Sequence, residues 1–296
     1  MTKPSHIFIV GSFRSGTTLL RNILNRSSEI AICGETFYLG RFISAGKRHL
    51  FAEIGDLKTD EGARKIVDYI YGIEHLDFWR WIKANIDKQQ FLKQFLATDR
   101  SDKALFDLVM MCFANEKPIR GEKTPAHIHH VSTLIKWFPE AKIIHTLRDP
   151  RAIFVSEKRK KMIQSNVTFR YTVLRKSEFL LELYISAHVL LTWLQVVRLH
   201  HNYLKTYPYQ YYLSKYEDLV SDPETRIKSI CQFLEIDFTE NMLEQNVINS
   251  SFSTGEINSV GFNTVAINRW QNYISPIIEQ WITLWTNKYL VEFNYN

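Results

Sequence analysis

Short apolar runs that end in glycine or in a charged turn, each followed by residues at helical spacing, set the rhythm of this chain. Ile7-Phe8-Ile9-Val10 is a β-rich run closed by Gly11 and reads as a buried strand. A short loop follows, then a helix with Leu19, Leu20, Ile23 and Leu24 on one face. Residues 29–32 suggest a second strand running into Cys33-Gly34-Glu35-Thr36, and 118–125 a weak strand ending in a charged turn. Residues 142–148 form a clear strand that breaks at Asp149-Pro150 into a helix from 151 to about 162. Residues 209–216 read as a further strand, and Ser221-Asp222-Pro223 caps a helix through Leu234.

Between these units the spacing is helical. Ile66, Val67, Ile70 and Tyr71 share a face, as do Phe78, Trp81 and Ile82, and Leu105, Leu108, Val109 and Cys112. This stretch, about 40–115, reads as a helical insertion beside the sheet. Residues 126–138 predict a helix stopped by Pro139, and 173–204 one long helix or two in series. Residues 250–268 are irregular, and the end from Arg269 is helical, with Trp270, Trp281 and Trp285 expected in the core. Repeated strand, turn and helix predict an α/β fold: a parallel sheet of P-loop type with helices on both faces. No linker or internal repeat divides the chain, so residues 1–296 are expected to form one domain.

Such sheets bind ligands beyond the carboxyl ends of their strands. The first loop, Gly11-Ser12-Phe13-Arg14-Ser15-Gly16-Thr17-Thr18, has the layout of a phosphate cradle, with loop amides and a helix N-terminus facing one anion. Gly11 and Gly16 match the front of a nucleoside-triphosphatase loop, but Thr17 stands where the lysine belongs, and the cation is Arg14. The loop therefore suits a phosphate but not ordinary ATP hydrolysis. Arg14, Glu35, Lys123 and Arg148 all fall at strand exits and mark a candidate site.

Composition narrows the partners. The chain has 296 residues, 37 Lys and Arg against 31 Asp and Glu, and a net charge of +6. That modest excess fits an anionic ligand and is too scattered to argue for nucleic acid. Cys33, Cys112 and Cys231 are odd in number and far apart, which argues against a disulfide framework or a zinc site. No signal peptide or membrane span is read from the sequence, and the expected location is cytoplasmic. His127, His129 and His130 are expected to play no ligand role, and 157–161 to be a solvated helix face in which only Lys160 stands out.

In four blocks the chain resembles sulfotransferases that use 3′-phosphoadenosine-5′-phosphosulfate (PAPS). It is most similar to the tyrosylprotein sulfotransferase branch and its bacterial relatives. Arg14-Ser15-Gly16-Thr17-Thr18 resembles the loop for the 5′-phosphosulfate. Arg148 and Ser156, eight residues on, resemble the 3′-phosphate site, with Lys160 where the branch has a further cation. Tyr216, in Tyr216-Glu217-Asp218-Leu219, resembles a nucleotide contact, and Arg269-Trp270 the basic-aromatic pair that closes the nucleotide site. Thr254 falls where the branch has a serine near the transferring group. By the same register Glu35, 21 residues after Arg14, matches the catalytic base, and Lys123, 25 residues before Arg148, a transition-state lysine. The resemblance covers roughly 6–36, 119–162, 210–236 and 250–270.

It implies sulfuryl transfer from PAPS to an acceptor hydroxyl, with the bisphosphate PAP as product and no metal. The acceptor is left open among small molecules, sugars, lipids and peptides, and the oligomeric state is open too. Three departures bear on the acceptor: the helical stretch between Glu35 and Lys123 is longer than that branch's, which the resemblance implies is an insertion on the acceptor side, and two local differences accompany it. Phe37 replaces a basic residue two positions after the base, and Ile32 and Gly121 stand where that branch has a disulfide. The alternatives are a P-loop phosphotransferase or nucleotide kinase, and a non-catalytic protein that keeps the nucleotide fold. The missing loop lysine and the Arg148/Ser156 pair argue against the first, and Glu35 with Lys123 against the second.

Overall fold

Strand β1 spans His6–Gly11 and is buried throughout. Successive strand side chains point to opposite faces, so Ile7 and Ile9 enter one core and Phe8 and Val10 another. The computed structural model describes residues 3–41, 54–163, 174, 176–245 and 261–295. It places β1 at the centre of a sheet with β2 (Ile30–Cys33), β3 (Ile119–Lys123), β4 (Lys142–Leu147) and β5 (Tyr211–Lys215). The order is β2-β3-β1-β4-β5 and every pairing is parallel. At Gly121 the strands run so close that a Cβ would stand 2.0 Å from the Ile7 carbonyl oxygen, which is why β3 carries a glycine there.

The Ile7/Ile9 face is covered by helix Thr17–Leu24, through Leu20, Ile23 and Leu24, and by helix Pro223–Leu234, through Ile227 and Ile230. The other face holds a difference from the sequence reading. Helices Asp60–Tyr71, Asp77–Asn85, Lys88–Leu96 and Asp102–Ala114 do not sit beside the sheet. They lie on it, and Ile66, Ile70, Trp79, Phe91 and Phe106 share one core with Phe8 and Val10. Three of them start at side-chain caps: Thr59, Asp87 and Ser101 accept the amides of Gly62, Gln90 and Ala104.

A third core joins helix Pro150–Ile163, helix Glu178–Thr206 and the C-terminal helix Pro276–Glu292 around Phe154, Trp193 and Ile282. Glu178–Thr206 is one continuous helix of 29 residues. Length and composition would let it cross a membrane, but half of its most apolar window is buried inside the fold. The stretch expected as a helix over 126–138 begins instead as a 3-10 turn, Pro125–His130, and turns α-helical only over Val131–Trp137. Trp270 is buried, but Trp281 and Trp285 are 38% and 57% exposed, contrary to expectation. Ile278, Ile282 and Leu290 take the inward face of that helix. The two indoles meet each other on its outer side, at 5.8 Å between centroids.

The end of the chain is tied back beneath β4. Arg151 forks onto both Asp149 oxygens, stacks over Trp270 at 4.4 Å and donates to the Tyr295 carbonyl. The Asp149 amide donates to Glu217 at 3.1 Å. Burial pushes the Glu217 carboxyl up to about 7, against the opposing pull of Arg148. A carboxyl raised on folding contributes stability that is fully present below its unfolded value and is lost as pH rises toward its folded value. Thermal unfolding of the wild type and Glu217→Gln from pH 4.5 to 7.5 should show the wild-type advantage shrinking by on the order of 3 kcal/mol. A constant difference across that range would mean that Glu217 folds already ionised.

Candidate active site

Because the strands are parallel, β1, β2, β3 and β4 all end at one edge, where their following residues meet around a cavity of about 570 Å³. After β1 the chain turns through Ser12–Gly16, with Arg14 at φ 67° and Gly16 at φ 87°. A side chain at Gly16 would stand 2.4 Å from the Tyr216 ring as well as in the left-handed region. No side chain caps the Thr17–Leu24 helix, so its first amides face the cavity uncapped.

Arg14 reaches across the sheet edge, its Nε donating to Ser156 Oγ at 2.9 Å. Burial lowers its pKa and Glu157 opposes that; a guanidinium nonetheless stays charged. Arg148 donates to the Arg14 carbonyl at 3.1 Å and to the Ala266 carbonyl at 3.2 Å, and lies over the Tyr216 ring at 4.1 Å. Trp193 Nε1 holds the Arg148 carbonyl at 2.9 Å. Two buried polar atoms among these residues, Arg148 Nε and Ser12 Oγ, have no hydrogen-bond partner within the described protein. Unmet donors around a cationic pocket suit an anion with oxygen acceptors on more than one side.

On the β2/β3 side, Lys123 Nζ meets Glu35 Oε1 at 2.5 Å. The Lys123 side chain is only 5% exposed, whereas Glu35 is 33% exposed and opens onto the cavity. Phe37, Pro125, Ala126 and His129 continue the wall from Glu35, and His188, Val189 and Thr192 face them from helix Glu178–Thr206. One part of the lining is thus cationic and another carries aromatic and apolar residues, and Glu35 lines the same cavity with Lys123 paired behind it.

The cavity brings together Arg14, Gly16, Thr17, Thr18, Glu35, Arg148, Ser156, Lys160 and Tyr216 from the sequence reading, with Lys123 joined through Glu35. Ser15 turns its hydroxyl inward, to the Ser12 carbonyl at 2.6 Å and Thr146 Oγ1 at 2.7 Å, leaving only its backbone to the loop. Arg269 lies in the turn Arg269–Asn272 and does not line this cavity; Gly261, Phe262 and Asn263 of the same segment do. Thr254 lies outside the described residues. The 157–161 run is not a plain solvated face. Glu157, Lys160 and Lys161 line the cavity, while Lys158 turns away to Glu182 at 2.6 Å.

Three residues that spacing did not single out belong here. Arg21 lies against Gly34, its pKa lowered by burial and raised by Cys33 and Glu35. Glu122 and His127 are fully buried directly behind Glu35 and Lys123. For Glu122 a signal existed, a second charge immediately before Lys123 at a strand end. His127 was visible only as one of three clustered histidines for which no ligand role was expected.

Residues 4–240 match the family model described as Sulfotransferase family. A putative protein-tyrosine sulfotransferase of Caenorhabditis briggsae is 24% identical over 276 residues, 89% of this chain and 80% of that one. An uncharacterized protein of Aquifex aeolicus (strain VF5) is 24% identical over 279 residues, 92% of this chain and 32% of that one. The chain therefore spans about a third of that relative's length. Among solved structures, the sulfotransferase domain of the Synechococcus PCC 7002 olefin synthase superposes with a TM-score of 0.61 at 22% identity, covering 100% and 97% of the two chains. Mouse sulfotransferase SULT7A1 complexed with PAP gives 0.51 at 14% identity, covering 98% and 85%. These structures share the fold, a P-loop-type parallel sheet flanked by helices. With most of its length matched by the family model, the chain belongs to the sulfotransferase family.

Proposed function

We propose that the chain transfers a sulfuryl group from PAPS to an acceptor hydroxyl at the cavity where the strand ends meet. The observation that carries this reading is the Glu35–Lys123 pair. A carboxylate that lines the cavity meets an ammonium at 2.5 Å, and the lining is cationic in one part and less polar in another. The cationic part suits the donor, whose two phosphate positions need separate cation sites. Arg14 and the uncapped helix amides serve the 5′-phosphosulfate. Arg148 and Ser156 serve the 3′-phosphate, with Tyr216 beneath the Arg148 guanidinium. The mouse relative in complex with PAP supports the same donor class for this fold.

Transfer joins the acceptor oxygen to sulfur and breaks the bond from sulfur to the 5′-phosphate oxygen. Glu35 takes the hydroxyl proton, and PAP leaves with the bond's electron pair. Lys123 and Arg14 meet the charge that builds on the leaving oxygen, the part of the reaction in which electrostatic stabilisation counts most. The protein otherwise aligns two bound partners, since the sulfuryl group arrives activated. The less polar part, with Phe37, Ala126 and Val189, takes the acceptor.

Calorimetry with 3′,5′-adenosine bisphosphate and with ATP–Mg²⁺ tests the donor: binding of the bisphosphate with weak or no binding of ATP is expected, and the reverse preference would replace this reading with a phosphotransferase. Glu35→Gln should bind the bisphosphate as the wild type does and lose roughly 10²- to 10⁴-fold in turnover. Turnover near the wild-type value would remove Glu35 as the base. Arg148→Ala should weaken the bisphosphate about 10- to 100-fold, the worth of a charge-assisted contact, and leave adenosine 5′-phosphate nearly unchanged. Equal weakening of both nucleotides would place the 3′-phosphate elsewhere.

A further inference from the structure

Glu122 lies in β3 opposite Phe8 of β1 and Cys33 of β2, with no exposed surface. A carboxylate inside a sheet is costly unless its oxygens are met. Burial would raise the Glu122 carboxyl, and His127, Thr124 and the Thr36 amide act against that. One oxygen accepts the Thr36 amide at 3.0 Å, the Thr36 hydroxyl at 2.9 Å and the Thr124 hydroxyl. The other stands 3.0 Å from His127 Nδ1, an ion-pair distance without the alignment of a hydrogen bond. His127 Nε2 accepts the Leu39 amide at 3.1 Å, which assigns the ring proton to Nδ1, facing Glu122.

The same cluster catches the amides between. Thr124 Oγ1 accepts the Phe37 amide at 3.3 Å, and the Thr36 hydroxyl accepts that of Tyr38 at 3.0 Å. Four consecutive amides after Glu35 thus have side-chain acceptors, in a turn with Phe37 at φ 51°. Trp79 Nε1 closes the turn from the helical layer by donating to the Thr36 carbonyl at 2.9 Å. Glu122 therefore grips the residue that follows Glu35 while being itself the residue that precedes Lys123.

The geometry points to Glu122, supported by His127 and Thr124, as a positioning residue for sulfuryl transfer: it fixes where Glu35 and Lys123 stand relative to one another. The inference rests on the roles proposed above for that pair. A different ionic cluster in the same strands supplies the contrast. Arg120 of β3 forks onto Asp107 at 2.7 and 2.9 Å, and His6 of β1 joins it at 2.9 Å. That cluster lies at the opposite end of β3 from Lys123 and anchors strand to helix without touching the site.

The test compares Glu122→Gln, Thr36→Val, Thr36→Ser and Asp107→Asn. Affinity for 3′,5′-adenosine bisphosphate is measured by calorimetry, transfer with PAPS and 4-methylumbelliferone as the probe phenol, and amide exchange across 36–39 by mass spectrometry. Glu122→Gln and Thr36→Val should keep bisphosphate affinity and donor KM, lose about tenfold or more in kcat, and exchange faster over 36–39. Thr36→Ser, which keeps the hydroxyl, should recover most of the rate, and Asp107→Asn should lose stability but not kcat. Rates in Glu122→Gln and Thr36→Val that match Asp107→Asn would overturn the positioning role and leave the function standing. A wild type that fails to bind the bisphosphate would overturn both. If it binds the bisphosphate but does not use the probe phenol, the exchange data decide, and unchanged exchange over 36–39 in Glu122→Gln overturns the positioning role. Thr36→Val carries the test should Glu122→Gln fail to fold.

Discussion

All five strands run in one direction, and that single constraint organises the site. A parallel sheet delivers every strand's exit to the same edge, so residues far apart in sequence meet there with no long-range design beyond strand register. Arg14 follows β1, Glu35 follows β2, Lys123 ends β3 and Arg148 follows β4. β1 lies between β3 and β4, which sets the Lys123 exit and the Arg148 exit on either side of the Arg14 loop. The Glu35–Lys123 pair can form because β2 and β3 are neighbours in register, Cys33 opposite Glu122, so the residues after them leave side by side.

Holding cations together at that edge has an electrostatic cost, and the protein offsets it locally. Arg14 feels Arg148 as a like charge. Glu157 and Glu35 act on Arg14 as opposite charges, Ser156 and the Arg14 carbonyl accept from the two guanidinium groups, and Tyr216 presents its ring face to Arg148. Asp149, the nearest carboxylate in sequence, is diverted to Arg151 and so does not neutralise Arg148. The fold thus keeps its positive charge available at the cavity while satisfying Asp149 beneath it.

Much of this was legible because the informative residues sit at element boundaries. A four-residue apolar run, a glycine and a helix stripe announce β1, its loop and its helix, and the same pattern marks β4 and Arg148. The sheet-covering layer was harder. Its amphipathic stripes were readable as helices, but a stripe does not say which surface it covers; only Phe8, Trp79 and Phe106 meeting in one core shows that it forms a face of the sheet. Trp281 and Trp285 misled for a related reason, since tryptophan content suggests a core and only packing decides which helix face turns inward. Arg269 followed the sequence register, but in this part of the chain it is Gly261, Phe262 and Asn263, ahead of the turn that carries Arg269, that line the cavity.

The helical layer also meets the turn after Glu35 at two points, Trp79 and Tyr38, whose hydroxyl donates to the Asp102 carbonyl. Trp79 is fully buried among the side chains that cover Phe8, and its indole N–H ends on the carbonyl of Thr36. The turn that carries Glu35 is therefore bound from two directions, by Glu122 and His127 beneath and by Trp79 from the layer. A loop with no ladder of its own is usually among the less stable parts of a fold. Here its order derives from side chains of two rigid elements, the end of β3 with the turn after it and the helix Asp77–Asn85. The length between β2 and β3 that looks like an addition to a compact sheet thus supplies a support for the turn that carries Glu35. Sequence variation in that layer can then alter the alignment of Glu35 without touching the cavity wall.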